Sequence, residues 1–388
     1  MKPFLTLLVA VTLGACGSKA QSPATDGGAG ATGTKPDANP NAMLPPATGT
    51  PGVWENVTSA EMPAELFTNG FGVGNIRTDP ARPSDLYVGG YGSIWKSTDY
   101  GKTWARLDSQ PNPPSLALGH VLAVAGTTPA TLWMANVNGD KKVFNSTDGG
   151  LTFTLTGTLS EKVDVSLYSI VVDPNDSTHL LSGFHEADKL AESTDGGETW
   201  RVFTGAGWPP GGISWFVFFV DTGAPATTRK TWLAIAQNGG SAVMTTDGGA
   251  TWTKPTGLQG LQHPHGCSQL FQSGGNTLFL AGTQGPQGDG VYRSLDLGKT
   301  WTRVAQGSGA IAFGSSKNVY AMWGWACAGC KGGPQLQVAA QPGDTWTKPT
   351  VPDALTWGPN SVAVTSDGVH SIFVGSMWAT GLWRYVEP

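Results

Sequence analysis

A chain of 388 residues with 13% charged side chains, 55 glycines and 16 tryptophans suits a turn-rich β protein better than a helical or disordered one. Its net charge is −5, without any basic run, which excludes the clustered phosphate neutralisation that nucleic-acid binding requires. The length allows two average domains or one large all-β domain.

In chain order, Lys2 precedes a short apolar run, 4–13, too short to span a bilayer as a permanent helix. The run ends in Leu13-Gly14-Ala15-Cys16, which resembles a bacterial lipobox. That resemblance implies a signal peptide over 1–15, cleavage before Cys16 and lipidation of its sulfur; an ordinary signal peptide with an incidental Cys16 is the alternative. Residue 17 is Gly rather than the Asp of inner-membrane retention, so the expected location is the outer membrane, held through the lipid anchor alone. Residues 16–51 are Gly, Ala, Thr, Pro, Asn and Asp with almost no apolar side chains. Such a segment cannot bury enough surface to offset its ordering entropy and reads as a flexible tether. The folded domain is expected over 52–388.

From residue 97 a unit recurs. Ser97, Asp99, Gly101, Thr103 and Trp104 are repeated as Ser146, Asp148, Gly150, Thr152 and Phe153. They return as Ser193, Asp195, Gly197, Thr199 and Trp200, then as Thr245, Asp247, Gly249, Thr251 and Trp252. A fifth set is Ser294, Asp296, Gly298, Thr300 and Trp301, and a sixth ends in Gly343, Thr345 and Trp346 with Gln341 in place of the Asp. The unit reads as a hairpin in which Asp accepts turn N–H groups and Gly takes a positive φ. The Thr starts the returning strand and the aromatic packs between sheets. These roles are structural, not catalytic.

The pattern resembles the Asp-box, or BNR, repeat. The resemblance implies an all-β fold, one seven-bladed β-propeller of four-stranded antiparallel blades. Trp54 sits one period before Trp104, and 381–385 reads as the strand before a box. The last blade is therefore expected to close by pairing the two ends of the domain, which removes exposed sheet edges. In the first blade the strands are expected at 72–78, 86–90, 93–97 and 103–107.

This plan puts the A–B turns and box hairpins on one face, and the D–A and B–C loops on the other. Function is expected on the loops. That face collects His120, His185, Glu186, the segment His263-Pro264-His265-Gly266-Cys267, and the pair Cys327 and Cys330. It also collects Trp208, Trp325, Trp357 and Trp378, which with His120 are candidate sugar-binding residues; packing against long loops is the alternative. His185, Glu186 and Asp289 are the candidate catalytic residues. His185, His263 and His265 are candidate ligands for a divalent metal ion, in an arrangement similar to that of oligogalacturonate lyases. With Cys16 lipidated, a disulfide between Cys327 and Cys330, or from either to Cys267, suits an oxidising compartment.

The Asp-box resemblance spans sialidases, xyloglucanases, sortilin-type receptors and photosystem assembly factors, and fold alone does not choose among them. Arg106, Arg201 and Arg303 map to outer strands and Arg82 and Arg229 to A–B turns, so the arginine trio of a sialidase is not matched. A glycosidase needs two carboxylates, for which Glu186, Asp188, Asp140 and Asp289 are available. The leading expectation is a monomeric envelope lipoprotein that binds, and as a glycoside hydrolase-like enzyme cleaves, glycan on its loop face. The alternatives are a non-catalytic propeller that docks an envelope protein, and a metal-dependent polysaccharide lyase.

Overall fold

The computed structural model describes residues 47–68, 75–90, 93–107, 119–136, 142–159, 167–239, 241–264, 268–307, 310–323 and 335–388. They build seven antiparallel sheets, the blades of a β-propeller. Blade 1 runs Asn75–Thr78, Leu86–Gly90, Ser93–Ser97 and Ala105–Arg106, its strands A to D. Blade 2 runs Gly119–Ala125, Thr131–Asn136, Lys142–Ser146 and Thr154–Thr158. Blade 3 comprises Leu167–Asp173, Asp176–Phe184, Leu190–Ser193 and Arg201–Phe203. Blade 5 comprises Leu270–Gln272, Leu278–Gly282, Gly290–Ser294 and Thr302–Gln306.

Blades 4 (Ile213–Phe219, Trp232–Asn238, Val243–Thr245) and 6 (Ala310–Gly314, Asn318–Trp323, Leu336–Ala340) have a fourth strand cut to one bridge. Those bridges are Met244 to Thr253 and Val338 to Thr347. Both blades carry the same hexapeptide, Thr251–Thr256 and Thr345–Thr350, with Pro255 and Pro349 two residues past the bridge. Proline offers no N–H to a ladder, so pairing stops there.

Blade 7 closes the ring. Pro359–Ser366, Ser371–Met377 and Gly381–Val386 are completed by Trp54–Asn56, with Trp54 opposite Tyr385 and Asn56 opposite Trp383. By this register Glu387 stands where the other boxes carry Asp. Its carboxylate accepts instead from Asn318 Nδ2 at 2.8 Å and the Tyr320 hydroxyl at 3.0 Å, both on blade 6.

The core is divided among the seams. Seven apolar clusters fill the contacts between successive blades, one each. Every box aromatic packs into the seam with the blade before it: Trp104 against blade 7, Phe153 against blade 1, Trp200 against blade 2. Trp252, Trp301, Trp346 and Trp54 continue the rule.

Each of the five complete boxes repeats one network. In the first, the Ser97 hydroxyl donates to Asp99 Oδ1 at 2.8 Å and accepts from the Gly101 N–H at 2.8 Å. Asp99 in turn accepts from the Thr103 N–H at 2.8 Å and its hydroxyl at 2.7 Å. The glycine φ is positive in all six turns, from 77° at Gly101 to 95° at Gly197. Among the described residues no helix is long and apolar enough to cross a membrane.

Candidate functional site

The loop face is assembled from the starts of the A strands, the D–A connections that lead into them and the B–C connections. On blade 3, the chain leaves strand Asp176–Phe184 at His185 and turns sharply at Glu186, which has φ 56°. The Glu186 N–H donates to the hydroxyl of Ser214, on blade 4, at 3.1 Å. Ser214 is itself left-handed, at φ 57°, and its carbonyl lies 2.6 Å from His263 Nε2 of the blade 5 connection. A non-glycine residue held at positive φ costs free energy and persists only where its surroundings over-determine it. On this face the condition applies to Glu186, Ser214, Gln284 and Ala379.

His185 and His263 converge on one ring: Tyr168 lies 5.1 Å from the first and 5.8 Å from the second, centroid to centroid. Burial pushes the His185 imidazole below its ordinary value, with Glu186 pulling the other way. His263 is buried, with its two ring nitrogens against the Pro264 carbonyl at 2.7 Å and the Ser214 carbonyl at 2.6 Å. Both ring nitrogens of His263 thus face carbonyl oxygens, and through Ser214 and Tyr168 the residue touches blades 4 and 3.

Asp289 accepts from the Gln284 N–H at 2.9 Å within its own loop, and no contact joins it to the His185 and Glu186 pair among the described residues. Trp208 faces inward, against Trp215 at 4.2 Å and Trp252 at 5.0 Å, with its indole N–H on Asp188. At the loop end of blade 7 the backbone N–H of Trp378 donates to the carbonyl of Gly358, the residue after Trp357, at 3.2 Å. Trp357 is 43% exposed, the single exposed aromatic among the described residues. Cys16, Asp140, His265, Cys267, Trp325, Cys327, Cys330 and the side chain of His120 lie outside the described residues.

The connection that leads to Trp357 lines a cleft of about 410 Å³, within the usual size range of small-ligand sites. Gln335, Lys348, Thr350, Asp353 and Thr356 supply its polar atoms and Leu355 its floor. Pro349 and Pro352 line it as well and fix the backbone of the connection that carries it. Sequence reasoning passed over this cleft because no motif marks the connection. It also passed over Arg77, a cation within an inner strand that alternation alone would treat as an ordinary polar residue.

No family model matches the chain. It is 26% identical over 247 residues to a xyloglucanase (Xgh74A) of Acetivibrio thermocellus, covering 60% of this chain and 24% of the relative. The chain thus spans about a quarter of the length of the curated relatives it matches. In structure it is similar to a GH74 enzyme of Niastella koreensis, with TM-score 0.61, 21% identity, and coverage of 86% of this chain and 55% of that one. It is also similar to a YCF48 propeller bound to a D1 peptide, with TM-score 0.58, 14% identity, and coverage of 88% and 99%. Seven blades, the recurring box network and these likenesses are consistent with the Asp-box propeller superfamily.

Proposed function

We propose that this protein is an envelope lipoprotein, anchored in the outer membrane through Cys16, whose loop face binds extracellular or cell-wall glycan in the manner of a glycoside hydrolase. The observation that carries the reading is Trp357. A large aromatic left 43% exposed, one position after Thr356 of a cleft lined by an amide, hydroxyls, one cation and one anion, adds a flat apolar face for a sugar to the hydrogen-bonding groups of that connection. The likeness to xyloglucanases, at 26% identity, supports the same class of ligand.

The test is titration of xyloglucan and other cell-wall glycans into the wild type and Trp357→Ala. Binding is expected to weaken about tenfold or more in the variant, the equivalent of ~1.4 kcal/mol of stacking. Unchanged affinity would remove Trp357 from the site, and with it the reading.

A non-catalytic interaction propeller is the second reading. It is favoured by the engagement of Asp188 with the Trp208 indole and of Asp289 with its own loop, which occupies two of the carboxylates expected to serve a glycosidase. A glycan that binds and is recovered intact after long incubation would favour a binding module over a hydrolase.

A further inference from the structure

Arg77 lies on the innermost strand of blade 1, facing the first residues of the innermost strand of blade 7. Its Nη1 donates to the Ile76 carbonyl and to the Ser361 hydroxyl, both at 2.8 Å, and its Nη2 to Asn75 Oδ1 at 3.3 Å. All three partners are neutral, and no carboxylate pairs with Arg77 among the described residues. Arg77 is half-buried, and cations of like or lower exposure are treated differently: Lys96 has Asp85 at 2.8 Å, and Arg384 has Glu55 at 3.6 Å. Burial lowers the Arg77 guanidinium to about 10. A desolvated charge without a counter-charge is costly to keep.

The geometry of the remaining donors is specific. A guanidinium has five N–H groups, and the hydrogen bonds to Ile76, Ser361 and Asn75 use three. Among the described residues the Nε–H and one Nη2 hydrogen remain, on the two nitrogens whose shared edge can pair side by side with the oxygens of a carboxylate. Ser361 is the third residue of strand Pro359–Ser366, four positions after Trp357, so the guanidinium is held at the loop-side part of that strand.

We propose that Arg77 is the carboxylate-recognising residue of the loop face, and that the ligand bound there is a glycan carrying uronic acid rather than a neutral one. The inference rests on the glycan reading above and adds its charge. The carboxylate of the sugar supplies the counter-ion that the fold withholds from Arg77, so binding relieves a cost already present in the free protein.

The experiment is calorimetric titration of the full-length protein with a glucuronate-containing oligosaccharide and with its carboxyl-reduced counterpart, in the wild type, Arg77→Gln and Arg77→Lys. The wild type is expected to prefer the acidic form by about tenfold or more, with the ratio falling to about one in Arg77→Gln. Arg77→Lys, a point charge without the fork, should retain part of the preference. Equal affinity of the wild type for the two forms, or a preference that survives in Arg77→Gln, overturns the proposal while leaving the glycan reading intact. Failure of both sugars to bind overturns the glycan reading instead. In that event a rise in Tm with sodium glucuronate, present in the wild type and absent from Arg77→Gln, keeps the carboxylate site; no rise overturns it too.

Discussion

The two faces of this propeller are built on opposite principles. On the box face one network is used five times with the same atoms, and its side chains answer one another locally within seven residues. On the loop face the connections differ, hydrogen bonds such as Glu186 to Ser214 and His263 to Ser214 reach across blades, and four non-glycine residues among the described ones are at positive φ. Repetition serves stability, because every box solves the same problem of turning a strand and filling a seam. Variation on the other face is what a binding surface on a rigid scaffold requires. If the contrast is right, substitutions on the box face should cost stability, and those on the loop face should cost recognition.

The largest effect is expected at His179, on the box side of blade 3. Its ring is 1% exposed and sits between Asp173 at 3.0 Å and Glu192 at 3.0 Å, with Arg201 beyond Glu192. Burial alone would lower the imidazole, but the hydrogen bonds to Glu192 and Asp173 outweigh it and raise it above its ordinary 6.5. Burial likewise opposes the charged form of Glu192, yet its bonds to His179 and Arg201 bring it below its ordinary 4.5. A raised imidazole contributes stability that is complete below 6.5 and lost as pH climbs through its folded value. A lowered carboxylate contributes above 4.5 and loses it as pH falls through its folded value. His179→Ala strands Asp173 and leaves Glu192 to Arg201 alone, a loss of about 3–5 kcal/mol for a buried ion pair broken on one side. Denaturant unfolding should show the greatest gap from wild type between pH 4.5 and 6.5, closing as pH rises further. A gap independent of pH would mean that His179 acts by packing against Phe219 and Trp232 alone.

Next comes a pair of adjacent glycines that differ in surroundings. Gly249 has φ 80°, and a Cβ there would run into the rings of Phe203 and Trp232. Gly248 has φ 73°, and its Cβ would meet only Lys230 Cγ at 3.9 Å. Left-handed backbone costs a non-glycine residue ~1–2 kcal/mol, and overpacking a core adds ~1–3. Gly249→Ala should therefore lose about 2–5 kcal/mol and Gly248→Ala about 1–2. Equal losses, measured by thermal or denaturant melts, would show that the seam yields easily and that the boxes are less constraining than their repetition implies.

These contrasts also explain what could be read from the amino acids beforehand. The box is local: Ser, Asp, Gly, Thr and Trp lie within eight positions, each with a role that its chemistry fixes, so blades, seam aromatics and ring closure through Trp54 were all legible. The truncated outer strands of blades 4 and 6 follow from Pro255 and Pro349 and needed only a closer reading of the repeat. The loop face was legible in outline alone. That Trp208 turns inward depends on Trp215 and Trp252, and that His263 is engaged depends on Ser214, 49 positions away. Arg77 was overlooked for the same reason: its significance is the lack of a counter-charge, and only three-dimensional neighbours reveal a lack. Glu387 at the Asp position of the split box shows the converse, a motif slot whose occupant has been redirected to the neighbouring blade.

The smallest stability effect is expected at Trp357, where it is also the most informative. The side chain is 43% exposed and follows a connection stiffened by Pro349 and Pro352. Removing a surface side chain outside caps, cores and charge networks changes stability by within ~0.5 kcal/mol. Trp357→Ala should thus melt with the wild type while losing the glycan affinity tested above. A stability loss as large as that of a seam tryptophan, about 3–5 kcal/mol, would mean that Trp357 holds the blade 7 connection in place. The comparison of faces would then fail on its loop side, because an apparent binding residue would prove to be part of the scaffold. Loss of recognition without loss of stability is the signature that separates a residue kept for its ligand from one kept for its fold.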